Sequence, residues 1–217
     1  MNTQFWLDRW AQGQIGFHQA KVNPYLQAYW SRLGIEPTAT VFVPLCGKSL
    51  DMRWLSERGH GVIGIEVSQK AVREFFAEND LAPTVTTRGR FEHWESGRLR
   101  LLSGDFFDLE PDDLQSVGAV FDRAALVAMP PELRSRYASK LMQVIPPATP
   151  VLLVAMTYAQ HEMKGPPFAV DETAVRSLFP DARVELLTSR EVLGENPHFR
   201  ERGLMALTEQ AYFVRDE

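Results

Sequence analysis

From residue 40 onward the chain alternates short apolar runs with longer amphipathic stretches. "TVFVPL" (40–45) is apolar throughout, the pattern of a strand covered on both faces, and a helix is expected to start at "CGKS" and continue through "LDMRWLSERG". "GVIGIEV" (61–67) repeats the buried-strand pattern. "SQKAVREFFAEND" (68–80) follows, with a serine cap and Ala71, Val72, Phe75 and Phe76 on one helical face. "RLRLLSGD" (98–105), "GAVFDRA" (118–124) and "PVLLVAMTY" (150–158) predict three further strands. "ARVELLTSREV" (182–192) and "EQAYFVRD" (209–216) predict an antiparallel closing pair. Strands separated by helices imply βαβ units, so the expected fold class is α/β, doubly wound around a mostly parallel sheet.

The first 40 residues break this pattern. "FWLDRWAQGQIGFHQ" (5–19) carries two tryptophans and two phenylalanines ahead of the core, and aromatic surface of that size must be covered by something. "VNPYLQAYWSRL" (22–33) predicts a short helix with Asn23 as cap and Pro24 as first residue. Its Tyr25, Leu26, Tyr29, Trp30 and Leu33 fall at helical spacing and are expected to pack as core. The expected organisation is one domain over 1–217, with an arm (1–40) on a core (41–217).

Composition narrows the class. Hydrophobic residues make up 45% and charged residues 24%, as in an ordinary globular protein. The net charge is −5 and no lysine–arginine run tracks phosphates, which argues against a nucleic-acid partner. Cys46 is the single cysteine, so no internal disulfide is possible and a reducing cytoplasm is expected. No apolar stretch approaches the ~20 residues of a membrane span. "MNTQFWLDRW" lacks the basic and apolar regions of a signal peptide. A cytoplasmic monomer, with no membrane partner, is the expectation.

In doubly wound sheets the ligand lies at the carboxyl ends of the strands, near the point where strand order reverses. The first such end reads "PLCGKS". A phosphate-cradling P-loop would need a glycine where Phe42 stands, and the dinucleotide fingerprint fails because Gly47 is the one glycine in the turn. Glu66 ends the second strand, nineteen residues after Gly47, where a carboxylate can accept hydrogen bonds from both hydroxyls of a ribose. The apolar "GVIGI" before it argues against a plain solvent-facing glutamate. "SGDFFDL" (103–109) offers a planar base the polar turn Gly104-Asp105 and the rings of Phe106 and Phe107. Asp122 and Arg123 end the fourth strand. His18, His60, His93, His161 and His198 are scattered with no metal-ligand spacing, and no G-x-S-x-G elbow is present. Cys46 reads as a buried, inert small residue. The pocket therefore suits a nucleoside-containing ligand and chemistry without a metal or covalent nucleophile.

The W-x-x-R-W arm, "VFVPLCGKSLDMRWLSERGHGVIGIEVS", "GDFFDL" and "FDRAALVAMPP" together closely resemble the thiopurine S-methyltransferase family, over about residues 5–215. The resemblance implies a seven-stranded sheet with its last strand antiparallel. It implies S-adenosyl-L-methionine as cofactor and methyl transfer to the sulfur of aromatic and heterocyclic thiols such as thiopurines. Bacterial relatives are also associated with selenium and tellurium compounds. Trp10, Leu45, Glu66 and Arg123 match the family's cofactor-binding positions, and Gly104, Asp105 and Phe106 match the segment beside the adenine. Phe17 corresponds to the arm's contribution over the active site. A second, substrate-side arginine falls in "ENPHFRERGL" (195–204), where Arg200 or Arg202 can serve and an ungapped reading gives His198. On this reading Arg123 favours the thiolate or positions the acceptor, Asp122 orients Arg123, and Trp6, Trp10 and Phe17 close over the ligands. The rivals are a methyltransferase acting on oxygen or nitrogen and a non-catalytic S-adenosylmethionine sensor.

Overall fold

The computed structural model describes residues 3–216. The arm contains α1 (Thr3–Ala11) and α2 (Pro24–Tyr29), the latter running into a 3₁₀ turn over Trp30–Leu33. The core continues as β1 (Thr40–Val43), α3 (Leu50–Glu57), β2 (Gly61–Glu66), α4 (Gln69–Glu78), β3 (Thr84–Arg88), β4 (Phe91–Ser96) and β5 (Leu99–Ser103). Then come β6 (Val117–Arg123), α5 (Pro131–Val144), β7 (Val151–Thr157), α6 (Glu172–Leu178), β8 (Ala182–Glu191), α7 (Pro197–Glu201) and β9 (Thr208–Asp216). Side-chain caps set the helix starts. Asn23 Oδ1 accepts from the Tyr25 and Leu26 N–H groups, Ser49 caps α3 and Ser68 caps α4.

The strands form one sheet in the order β3-β4-β5-β2-β1-β6-β7-β9-β8. The five central strands, β5 to β7, run parallel, and β9 inserts antiparallel between β7 and β8. The sheet has nine strands where seven were expected. The extra pair is the β3–β4 hairpin, which adds antiparallel to the edge at β5. β3 is exposed at four of its five positions, with Val85 45% accessible, so no apolar run announces it. Its signal is in the turns: Gly89 and Gly97, both at positive φ, each open a two-residue loop.

Strand alternation sends successive side chains into two cores. Phe42, Leu102, Phe106, Val120, Tyr137 and Tyr212 pack on the face covered by α5 and α6. Tyr25, Leu26, Met52, Phe75, Phe121 and Phe213 pack on the face covered by α2, α3 and α4. Burying large apolar side chains on both faces contributes roughly 1.5–3 kcal/mol each.

One close approach fixes how the turn after β1 sits on β2. A Cβ at Gly64 would lie 2.7 Å from Cys46 Sγ and 3.0 Å from Met52 Sδ. Gly64→Ala is expected to cost about 1–3 kcal/mol through overpacking, seen as a fall of several degrees in Tm. An unchanged Tm would mean that Cys46 and Met52 yield freely and that the approach sets nothing.

Candidate functional site

Strand order reverses between β1 and β6, since the chain builds outward through β2 and then returns to add β6 and β7 on the other side. A cavity of about 310 Å³ opens there, at the carboxyl ends of β1, β2 and β6 and beneath the arm, a size that suits a small organic ligand. Leu45, Glu66 and Arg123 reach it from three strand ends, and Trp6, Trp10 and Phe17 roof it. A wider groove of about 720 Å³ runs between the ends of α5 and α6, where Asp181 is the sole titratable lining residue among those described. The convergence of charge is at the first cavity.

Glu66 is 5% exposed, and its two carboxylate oxygens accept from the backbone N–H groups of Gly47 (3.0 Å) and Ser68 (2.8 Å). Burial pushes its pKa up to about 7 against the pull of those hydrogen bonds. Leu45 and Ala124, the residues just past the β1 and β6 ends, both hold positive φ and both line the cavity. Strain in non-glycine residues concentrates at binding sites in this way. The "GKS" that mimics a P-loop has other work. Ser49 caps α3, and Lys48 bridges Glu74 (2.9 Å) and Glu78 (2.6 Å) on α4. Burial pushes the Cys46 thiol pKa well above its ordinary value, which makes the residue an inert packing group.

Asp122 and Arg123 part company at the end of β6. Arg123 is half-buried in the cavity and faces the carboxylates of Asp51 and Glu209. Asp122 is fully buried on the opposite face, accepting from Tyr137 Oη (2.7 Å) and the Leu126 N–H (3.1 Å). The expectation that Asp122 orients Arg123 is therefore corrected: neighbours on a strand point to opposite faces. Asp122 instead ties β6 to α5, with burial raising its pKa to about 6.

The "SGDFF" turn also divides. Asp105 caps its own turn through the Phe107 N–H and accepts from Thr3 Oγ1 of α1 at 3.1 Å. Gly104 donates its N–H to the Glu66 carbonyl. Phe106 is 1% exposed with its ring against Tyr137, so it belongs to the core and not to the cavity lining, and Phe107 is the more accessible ring. In α7 the positions four apart share a face. His198 and Arg202 accordingly reach the cavity, whereas Arg200 points outward, which moves the substrate-side assignment off Arg200.

Three further polar residues were missed. His18 and Glu209 line the cavity, and Asp51 approaches Arg123 from α3 while accepting from the Asn23 N–H at 2.7 Å. Burial lowers the His18 pKa and raises those of Asp51 and Glu209. Among the described residues no group of three or more His, Cys, Asp or Glu is placed to hold a metal ion, and no helix is long and apolar enough to cross a membrane.

Known proteins match this chain over its full length. The thiopurine S-methyltransferase (TPMT) family profile covers residues 1–217. Proteins named thiopurine S-methyltransferase are 52% identical in Methylococcus capsulatus (99% of this chain, 98% of the relative) and 46% identical in Nitrosospira multiformis (99% and 98%). Among solved structures, a SAM-dependent methyltransferase from Anabaena variabilis aligns with a TM-score of 0.66 at 13% identity, covering 99% of this chain and 95% of that one. The 1,6-didemethyltoxoflavin-N1-methyltransferase of Burkholderia thailandensis, solved with S-adenosylhomocysteine, aligns with a TM-score of 0.65 at 14% identity, covering 99% and 87%. The fold is that of class I methyltransferases, and the chain belongs to the thiopurine S-methyltransferase family, with S-adenosylmethionine as its cofactor.

Proposed function

We propose that this protein transfers the methyl group of S-adenosylmethionine to the sulfur of aromatic or heterocyclic thiols, thiopurines among them, by in-line displacement. The observation that carries the reading is one aromatic-roofed cavity lined by both a buried carboxylate, Glu66, and a guanidinium, Arg123. When bound, the cofactor supplies an activated methyl group on a sulfonium, so the protein needs to orient and desolvate more than to activate. Glu66 suits the ribose hydroxyls because each of its oxygens keeps a lone pair beyond the backbone hydrogen bond it already accepts. Leu45 and Trp10 line the same cavity. Arg123 stands where it would face a thiolate and lower the cost of forming it. Trp6, Trp10 and Phe17 pack edge to face at 5.5–5.6 Å, and that roof excludes water.

Labelled methyl should pass from S-adenosylmethionine to 6-mercaptopurine and not to the matching phenol or amine. Cofactor binding without transfer to the thiol would sink the sulfur reading. Arg123→Ala should raise the apparent acceptor pKa in the pH–rate profile, and an unmoved profile with unmoved kinetics would remove its role.

Ribose hydroxyls donate to an ionised Glu66, whose free-protein pKa is about 7. The Kd for S-adenosylhomocysteine should therefore rise as pH falls, by about tenfold from pH 8 to 6. Glu66→Gln should flatten the dependence, and a wild-type Kd independent of pH would rule this linkage out.

The segment 12–23 joins α1 to α2 and carries Phe17. Saturating S-adenosylhomocysteine should suppress limited proteolysis within it. Equal cleavage rates with and without the ligand would show that the arm is fixed core.

A further inference from the structure

Among the titratable groups that line the cavity without a part in the reading above are His18 and Glu209. His18 borders the turn of Leu45, Gly47 and Lys48, where burial and the cations of Lys48 and Arg123 make it a weaker base. Glu209 lies on β9 opposite Met156 of β7, while Val154 of β7 pairs with Arg123 of β6. Arg123, Val154, Met156 and Glu209 thus share one face across three adjacent strands, and all four line the cavity. His198 and Arg202 line the same cavity.

We propose that Glu209 is the proton acceptor for the substrate thiol, so that weakly acidic thiols and thiones are ionised inside the cavity. The proposal rests on the sulfur-acceptor reading above. The thiol S–H bond, or the ring N–H of a thione tautomer, breaks and its proton moves to the Glu209 carboxylate. The electron pair stays with the acceptor and forms the new S–CH₃ bond as the sulfonium C–S bond breaks, leaving its pair on the departing thioether. Glu209 then returns one proton to solvent, which completes the balance of a thiol and a sulfonium giving two thioethers and a proton.

The surroundings fit that task. The groups facing Glu209 are Tyr25 from α2, Arg123 from β6, Arg190 from β8 and Glu195 from the turn after β8. The Tyr25 hydroxyl lies against the carboxylate. Burial raises the basicity of Glu209 above that of an exposed glutamate. Proton transfer also leaves the charge of the cavity unchanged. The negative charge moves from Glu209 to sulfur while both face the same Arg123 guanidinium, so no uncompensated charge is created in a desolvated site.

The test compares two acceptors with the full-length protein: 6-mercaptopurine, weakly acidic, and a nitro-substituted thiophenol already ionised at neutral pH. Glu209→Gln should lower kcat by about 100-fold more for the weakly acidic acceptor than for the ionised one. An equal fall for both, or none, overturns the proposal. If the Gln variant fails to fold, the wild-type kcat profile decides. An acidic limb with 6-mercaptopurine that is absent with the thiophenol supports the assignment, and the same limb with both overturns it. A wild-type enzyme that methylates neither thiol overturns the sulfur reading and the proposal with it, whereas loss of discrimination alone leaves that reading standing.

Discussion

The structure turns on a single buried carboxylate. Glu66 closes β2 inside the protein, where an ionised acid loses most of its hydration. It persists because the backbone N–H groups of Gly47 and Ser68 point at its two oxygens. Those bonds tie the turn after β1 to the start of α4, across the carboxyl ends of the paired strands β1 and β2. The rest of the site is arranged around that tie. Trp10 lays its ring over Gly47, Leu45 is pushed to positive φ, and Lys48 is drawn away to Glu74 and Glu78. A cavity with a hydrogen-bonding carboxylate at its edge is the geometric result.

The second organising constraint is the pleat. Asp122 and Arg123 are adjacent in the chain and serve unrelated purposes because a strand sends them to opposite cores. Asp122 joins the Tyr137 hydroxyl beneath the sheet. Arg123 emerges among Asp51, Glu209 and the arm. Its cation is therefore held by acids at a distance and is available to a ligand anion, which a close ion pair with Asp122 would have prevented. The same alternation brings Glu209 onto the face of Arg123 from two strands away.

How much of this was legible depended on where each signal lies. The five parallel strands and the caps at Asn23 and Ser68 were readable because buried strands are apolar and caps are local. The β3–β4 hairpin was not, since an exposed edge strand such as "TVTTR" has little hydrophobic pattern and only the glycine turns betray it. Glu66 could be found from the chain because its strand ends beside a glycine turn. Glu209 could not: it sits at the beginning of β9, and only the antiparallel insertion of that strand beside β7 delivers it to the carboxyl ends of the others. Arg200 and Arg202 are indistinguishable as letters, and the short helix α7 decides between them.

The pKa shifts connect this geometry to stability. Glu66 holds its proton up to about pH 7 when folded against 4.5 ordinarily, and Asp122 up to about 6 against 3.8. Between these limits the folded chain binds more protons than the unfolded one, so their contribution to stability is fully present below the unfolded values and is lost as pH rises through the folded ones. At neutral pH the fold thus tolerates ionised carboxyls it would prefer to keep neutral. Asp122 is relieved internally by Tyr137 and the Leu126 N–H. Glu66 opens on the cavity, so further relief for it has to come from donors that a ligand brings. On the proposed reading a ribose brings two, and cofactor binding and stabilisation of this end of the sheet become one event.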